Sequence, residues 1–178
     1  MRNTLLSFFL IFTAFECMSQ VDSASSETFK KEYYSIKKPK GWTLNESGLG
    51  GTDCFIISPK ANSNDSFTEN VNIIRTPLEE GQQETRDEGI QRTIKMMGKM
   101  MNNFKLLSQE KKVVNGLETD ILVYTHTQGI LELKLEQRFV LANNQMYILT
   151  ATESAVNPHF IKQLSEILDS FQLKMSEN

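Results

Sequence analysis

The sequence predicts an α+β domain in which two main helices pack on a largely antiparallel sheet. Three observations predict this class. Several segments alternate apolar and polar residues, as half-buried strands do. Two longer stretches repeat their apolar residues at the spacing of an amphipathic helix. The dipeptide Asn115-Gly116 lies between two of the strand-like segments, where it is a strong signal for an antiparallel hairpin.

Four short strands are predicted in the first half of the chain. In the first of them, Tyr34 and Ile36 alternate with polar residues until Pro39 ends the strand. A turn at Gly41 leads into the second, and glycine-rich and asparagine-rich loops flank the third. The four strands are predicted within residues 32–39, 42–45, 54–59 and 69–76.

A helix is predicted over residues 84–104. Glu84, Asp87 and Glu88 lie near its start, where negative charge interacts favourably with the helix dipole. Apolar residues recur at helical spacing along the segment. They are Ile90, Ile94, Met97, Met101 and Phe104, and Met96 and Met100 widen the stripe.

A meander of four strands is predicted next, at residues 105–114, 117–127, 130–142 and 145–153. Asn115-Gly116 joins the first two, because both residues tolerate a positive φ. Gly129 turns the chain between the middle two strands. Asn143-Asn144 is a second hairpin turn and joins the last two.

A closing helix is predicted with Asn157 as its N-cap and Pro158 at its first position. Its apolar stripe consists of Phe160, Ile161, Leu164, Ile167, Leu168 and Phe171. No internal repeat or linker divides the sequence, so residues 29–175 are predicted to form a single domain.

The N-terminal residues are predicted to be an export signal. Arg2 precedes an apolar run at residues 5–15, and these eleven residues are too few to span a bilayer as a helix. Cleavage after Ser19 would make residues 1–19 the signal peptide and residues 20–28 a flexible leader. No second long apolar run follows, so the mature chain is expected to have no transmembrane segment.

Cys17 raises the alternative of a lipid anchor. A lipoprotein signal places a small residue before its cysteine, whereas Phe15 and Glu16 precede Cys17. Export to the periplasm or the extracellular space is therefore preferred over anchoring through Cys17. After cleavage Cys54 would be the single cysteine, so no intramolecular disulfide is expected.

Charge and motifs exclude several classes of function. The net charge of -3 leaves no basic footprint for nucleic acid. His126 and His159 are the two histidines, and no Gly-x-Ser-x-Gly sequence accompanies them. Asp65 and Glu69 lie in an asparagine-rich loop without the alternating acids of a calcium site. The sequence thus predicts no enzyme, no cofactor and no metal site, with Cys54 as a small core residue.

Polar residues on the sixth and seventh strands mark a candidate interaction face. On the seventh strand, apolar side chains point one way and charged side chains point the other. On the sixth, Tyr124 and His126 share a face with acidic residues. The candidate face comprises Glu132, Lys134, Glu136, Arg138, Tyr124 and His126. The alternative is a solvated sheet face that carries cross-strand charge pairs.

Several segments together resemble the PsbP-like family, namely YYSIKKPKGW, FTENVNI, the predicted helix 84–104, and EQRFVLANNQMYILTATES with the closing FIKQLSEILDSF. Pro-x-Gly-Trp and Glu-Asn-Val-Asn are the more specific stretches within them. The resemblance implies a PsbP-like α/β/α sandwich. DcrB-type periplasmic lipoproteins and a Ran-binding nuclear protein share this fold. The resemblance implies binding or assembly, and it assigns no functional residue.

The expected function is therefore that of a non-enzymatic exported accessory protein, a monomer that binds a partner protein in the cell envelope. The alternative is a protein that binds a small ligand or lipid in a pocket between the methionine-rich helix and the sheet. Its four methionines could line an adaptable cavity. They are Met96, Met97, Met100 and Met101.

Overall fold

The computed structural model describes residues 26–78 and 86–174. The predicted signal peptide 1–19 and most of the predicted leader lie outside them. The described residues form ten strands and two α-helices. The strands are β1 Ser26–Lys30, β2 Tyr34–Pro39, β3 Thr43–Asn45, β4 Cys54–Ile57, β5 Asn70–Pro77, β6 Asn102–Val114, β7 Leu117–Gln128, β8 Leu131–Ala142, β9 Gln145–Ser154 and β10 Gln172–Leu173. The helices are α1 Arg86–Met100 and α2 Ile161–Asp169.

Seven of these strands form one sheet in the order β3-β4-β5-β9-β8-β7-β6. All neighbours in it are antiparallel, so the α+β prediction is confirmed. The predicted meander forms four of the seven strands of this sheet as consecutive hairpins. Strand β9 lies at the centre, because it pairs with β8 on one side and with β5 on the other.

A second sheet of three strands, β1-β2-β10, was not predicted. β1 occupies part of the predicted flexible leader, because it includes Ser26, which precedes the predicted start of the domain at Phe29. A tight turn explains this, because the backbone N–H of Lys31 donates to the carbonyl of Tyr34 at 2.9 Å and folds β1 back onto β2. β10 pairs with the other edge of β2.

The first helix was predicted correctly as a helix, but the prediction placed its C-terminal end too far along the chain. Helix α1 ends at Met100, and Glu84 lies outside the described residues. Asn103 has a φ of 54°, a left-handed conformation that a helix cannot continue through. Phe104 therefore belongs to β6, from which its ring contacts Tyr124 at 5.5 Å between centroids.

The hairpin turns have the geometry that the sequence predicts. Asn115 and Gly116 have φ values of 50° and 79°, and Asn143 and Asn144 have values of 52° and 57°. Two positive φ angles in succession define the tight turn whose twist matches that of the flanking strands. Gly129, at 62°, opens the turn between β7 and β8.

The start of the second helix was predicted wrongly. Helix α2 begins at Ile161, and Asn157 does not cap it. The Asn157 side chain instead contacts the ring of His159 at 3.1 Å. Tertiary packing overrides the local pattern here, since the Phe160 ring packs against Trp42 with centroids 5.6 Å apart before the helix starts.

Apolar residues cover both faces of the large sheet. Helix α1 packs on one face, where Ile90 and Met97 join Leu122, Leu133 and Phe139. Helix α2 and the small sheet cover the other face. The buried core there is Tyr34, Ile36, Trp42, Cys54, Ile56, Val71, Ile73, Val140, Tyr147, Leu149, Ala151, Leu164, Ile167, Leu168 and Phe171. In the described parts of the chain, neither helix is long and apolar enough to cross a bilayer.

Candidate functional site

The six residues of the predicted interaction face lie on two opposite faces of the large sheet. Tyr124 pairs with Leu135, and its side chain is buried in the core beneath α1. His126 pairs with Leu133 on that same face, its ring 6.4 Å from that of Tyr124. The four charged residues of β8 alternate with these leucines and therefore point to the α2 side. The predicted grouping of six was wrong.

Three of the four charged β8 residues on the α2 side take part in ion pairs. Lys134 Nζ donates to Glu153 Oε1 at 2.7 Å across β8 and β9. Arg138 Nε donates to Glu136 Oε1, and Arg138 Nη1 donates to Asp169 Oδ1 at the end of α2, both at 2.7 Å. Glu132 is exposed, and its backbone carbonyl accepts from the N–H of Ala155 at 2.8 Å. This part of the sheet is a network that reaches α2.

A cleft of about 170 Å³ opens between this network and helix α2. Two cross-strand rows form its floor, one of Val123, Glu136 and Ala151 and one that pairs Lys134 with Glu153. Helix α2 forms the wall. The residues that line the cleft are Val123, Lys134, Glu136, Ala151, Glu153, Ile161, Leu164, Ser165 and Leu168.

Glu153 is the unusual member of the lining. It is 7% exposed, and its Oε2 is buried without a hydrogen-bond partner among the described residues. A carboxylate accepts through both oxygens, so only half of this group is satisfied by Lys134. Leaving a buried acceptor unsatisfied costs on the order of 1–3 kcal/mol. Glu153 therefore carries an unused acceptor in a cleft with apolar walls.

Sequence reasoning missed Glu153, although a signal for it was present. Asn143-Asn144 was recognised as a two-residue turn, and counting outward from it pairs Ala142 with Gln145 and Lys134 with Glu153. Adjacent opposite charges on one face would then have predicted the ion pair. The position of α2 over this pair is a tertiary feature that no local pattern indicates.

The rings of the two histidines contact Tyr124 and Asn157. Ser165, which lines the cleft, is on α2, whereas His126 lies on the opposite face of the sheet. The ring of His159 contacts Asn157, and its backbone N–H donates to Glu69 Oε1 at 3.4 Å. The described residues contain no group of three or more potential metal ligands.

The acidic residues of the asparagine-rich loop have structural partners. Asp65 accepts hydrogen bonds from the N–H groups of Ala61 and Phe67 at 2.9 and 3.1 Å, and these bonds lower its pKa. Glu69 is fully buried and accepts from the hydroxyl of Ser58 at 3.4 Å. These contacts fix the loop and tie it to the segment before α2.

The four methionines of the alternative prediction differ in exposure, and Met101 follows the end of α1. Met97 is buried against the sheet, but Met96 and Met100 are 53% and 76% exposed. The adjacent residues Met96 and Met97 point about 100° apart on the helix, and of these two only Met97 is buried. The cleft described above lies on the other side of the sheet, beneath α2.

Cys54 is a core residue. It is fully buried, and the hydroxyl of Tyr34 lies 3.7 Å from its Sγ. Burial raises the pKa of the Cys54 thiol to about 11, because the thiolate would lose its hydration. Burial likewise raises the pKa of Tyr124 to about 12.

The buried thiol predicts a loss of stability in alkaline solution. Between the ordinary thiol pKa and about 11, the unfolded chain releases the Cys54 proton and the folded chain retains it. The free energy of unfolding therefore falls as the pH rises through this window. We expect Cys54→Ala to reduce the slope, measured by urea unfolding at several alkaline pH values. Equal slopes for the two proteins would contradict the prediction.

Comparison with known proteins agrees with this architecture. A family model described as DcrB matches residues 56–170. Cyanobacterial PsbP (CyanoP) from Synechocystis superposes with a TM-score of 0.58 at 13% identity, covering 87% of this chain and 96% of that chain. The predicted PsbP-like fold, shared with DcrB, is therefore confirmed. A search of curated proteins finds no match.

Two further solved structures share the fold. LpqN from Mycobacterium tuberculosis, described as involved in cell envelope biogenesis, has a TM-score of 0.57 at 14% identity and covers 88% of each chain. The Ran-binding protein Mog1p from Saccharomyces cerevisiae has a TM-score of 0.55 at 12% identity, covering 85% of this chain and 96% of that chain. At such identities the likeness establishes the fold alone.

Proposed function

Because the chain belongs to the DcrB family, we propose that it is a non-enzymatic accessory protein of the cell envelope that binds a partner protein. The predicted export signal supports the compartment. The described role of LpqN in cell envelope biogenesis supports it further. Ser165 and His126 lie on opposite sides of the sheet, and the ring of His159 contacts Asn157, which supports a binding role over acyl-transfer chemistry.

The cleft beneath α2 is the observation that carries this proposal. Pockets for small ligands usually enclose about 300–1,000 Å³, so a cleft of about 170 Å³ suits an inserted side chain better than a whole lipid. Ile161 lines the cleft and is 52% exposed, which leaves apolar surface available for contact. A partner that covered it would gain hydrophobic contact around a polar centre.

Site-specific photocrosslinking tests this proposal. Benzoylphenylalanine is introduced into the full chain at Ile161, and in a second protein at Met96 on the opposite side of the sheet. The two positions are matched, since both are large apolar residues with exposures of 52% and 53%. We expect irradiation of the source cells to give a discrete protein adduct from position 161 and none from position 96.

Two results would contradict the proposal. Identical adducts from both positions would show capture without a specific surface. A lipid or small-molecule adduct at position 161, without any protein adduct, would show that the cleft binds a ligand of that kind instead of a protein partner.

A further inference from the structure

We propose that the cleft beneath α2 receives a basic side chain, lysine or arginine, from the protein partner. This inference rests on the proposed function and adds the chemistry of the contact. The cation would bind the carboxylate of Glu153, whose buried Oε2 would have to turn toward the cleft. The aliphatic stem of the cation would lie between the sheet and α2.

The free polar atoms of the cleft favour a cation. Arg138 already binds Oε1 of Glu136 from within the sheet. Glu136 and Glu153 contribute the two carboxylates of the lining, and Lys134 contributes its one ammonium. That ammonium is already bound to Glu153 Oε1, so it is not available for an anionic ligand. Oε2 of Glu153 is buried without a hydrogen-bond partner in the described structure, and a protonated amine or guanidinium supplies the donor it lacks.

The apolar lining suits the stem of such a side chain. Val123 and Ala151 on the sheet and Leu164 on α2 flank the carboxylates. Lysine and arginine carry three or four methylene groups that pack along apolar surface while the charged end reaches a polar group. The cleft volume of about 170 Å³ matches one long side chain and excludes a bulky headgroup.

Lys134 acts as an internal competitor in this arrangement. Its side chain is 41% exposed and reaches across to Glu153 on the neighbouring strand, so its ammonium already binds the carboxylate for which an added cation would compete. Removing its charge should therefore increase the affinity for a cationic probe. An anion-binding cleft would behave in the opposite way, because Lys134 would then be the ligand.

Methyl NMR with blocked pentapeptides tests the inference. The probe carries a central lysine or arginine between alanines, and the control peptide carries glutamine. We expect millimolar binding of the basic peptides, seen as shifts of the methyl groups of Val123, Ala151 and Leu164, and no shifts with the glutamine peptide. Added salt should weaken the binding, since it screens the charges.

Three variants make the test specific. Glu153→Gln keeps the shape but removes the charge, and we expect it to weaken binding roughly tenfold or more. Lys134→Gln should strengthen binding severalfold. Glu166→Gln is the matched control, because Glu166 lies exposed on α2, paired with Lys162, and should change nothing. Thermal unfolding confirms that each variant is folded.

A fourth variant covers the case in which Glu153→Gln fails to fold. Ser165→Trp fills the mouth of the cleft from an exposed position on α2, and we expect it to abolish the methyl shifts at unchanged melting temperature. Weaker binding by Lys134→Gln, or equal shifts with the glutamine peptide, would overturn the inference. If the basic peptides do not bind while crosslinking from position 161 still captures a protein, the proposed protein partner is supported and the proposed contact through a basic side chain is rejected.

Discussion

Phe171→Ala should lower the free energy of unfolding by about 3–5 kcal/mol, the range for removing a buried aromatic side chain and leaving a cavity. Phe171 is 4% exposed and lies two residues after the end of α2. Its ring centroid lies 5.4 Å from that of Tyr34 and 5.6 Å from that of Tyr147. It thus joins the end of α2 to both sheets, and the rigid rings around it cannot collapse into the space it leaves.

Urea unfolding followed by circular dichroism measures this loss. The matched control is Ile130→Ala, because Ile130 is 97% exposed and its truncation should change stability by less than about 0.5 kcal/mol. Phe171→Leu should lie between the two, since leucine fills part of the cavity. A loss below about 1 kcal/mol for Phe171→Ala would mean that α2 is held mainly by other contacts.

The same substitution links stability to the cleft. Leu164 and Leu168 of α2 line the cleft, and the helix is fixed at its C-terminal end by Phe171. Loosening that end widens the cleft even in molecules that remain folded. We therefore expect Phe171→Ala to weaken the peptide-induced shifts at temperatures where circular dichroism still reports native structure.

The hairpins could be predicted from the sequence, because the conformation of a two-residue turn depends on the residues of the turn itself. Asn115 and Gly116 take the positive φ angles that their residue types tolerate, and this turn fixes the start of β7. Its second role could not be predicted from sequence. Nδ2 of Asn115 donates to the carbonyls of Asp169 and Phe171 at 2.7 and 2.9 Å, so a turn far away in sequence holds the end of α2.

Two features could not be predicted because they depend on pairing between strands. They are the small sheet and the division of the predicted interaction face between the two sides of the large sheet. Ser26–Lys30 has the polar composition of a leader, and it becomes a strand because β2 offers it an edge. Alternation within β7 and β8 was correctly recognised, but grouping Tyr124 with Glu136 required the register between the strands. Tyr124 pairs with Leu135, and Glu136 pairs with Val123, which places the two on opposite faces.

Arg138 carries the second large effect, because it is the buried centre of the charged network. Its side chain is 7% exposed, and it bonds Glu136 on its own strand and Asp169 on α2. Arg138→Ala removes both ion pairs and the packing of the long stem. Loss of one partner from a buried pair costs about 3–5 kcal/mol, and exposure of the two carboxylates allows partial rehydration. We expect a loss of about 2 kcal/mol in the free energy of unfolding, intermediate between buried and surface pairs.

A double-mutant cycle with Asp169→Ala separates the tether to α2 from the rest of this effect. Asp169 is 59% exposed, so its removal alone should cost less than about 1 kcal/mol. If Arg138 holds α2 through Asp169, the double variant should be less destabilised than the sum of the single variants by about 0.5 kcal/mol or more. High salt should leave most of the Arg138→Ala effect, since a buried guanidinium is poorly screened. Strictly additive changes in the free energy of unfolding would contradict the tether. Arg138 would then act through its pair with Glu136 and its packing within the sheet, and α2 would be held by its apolar face alone.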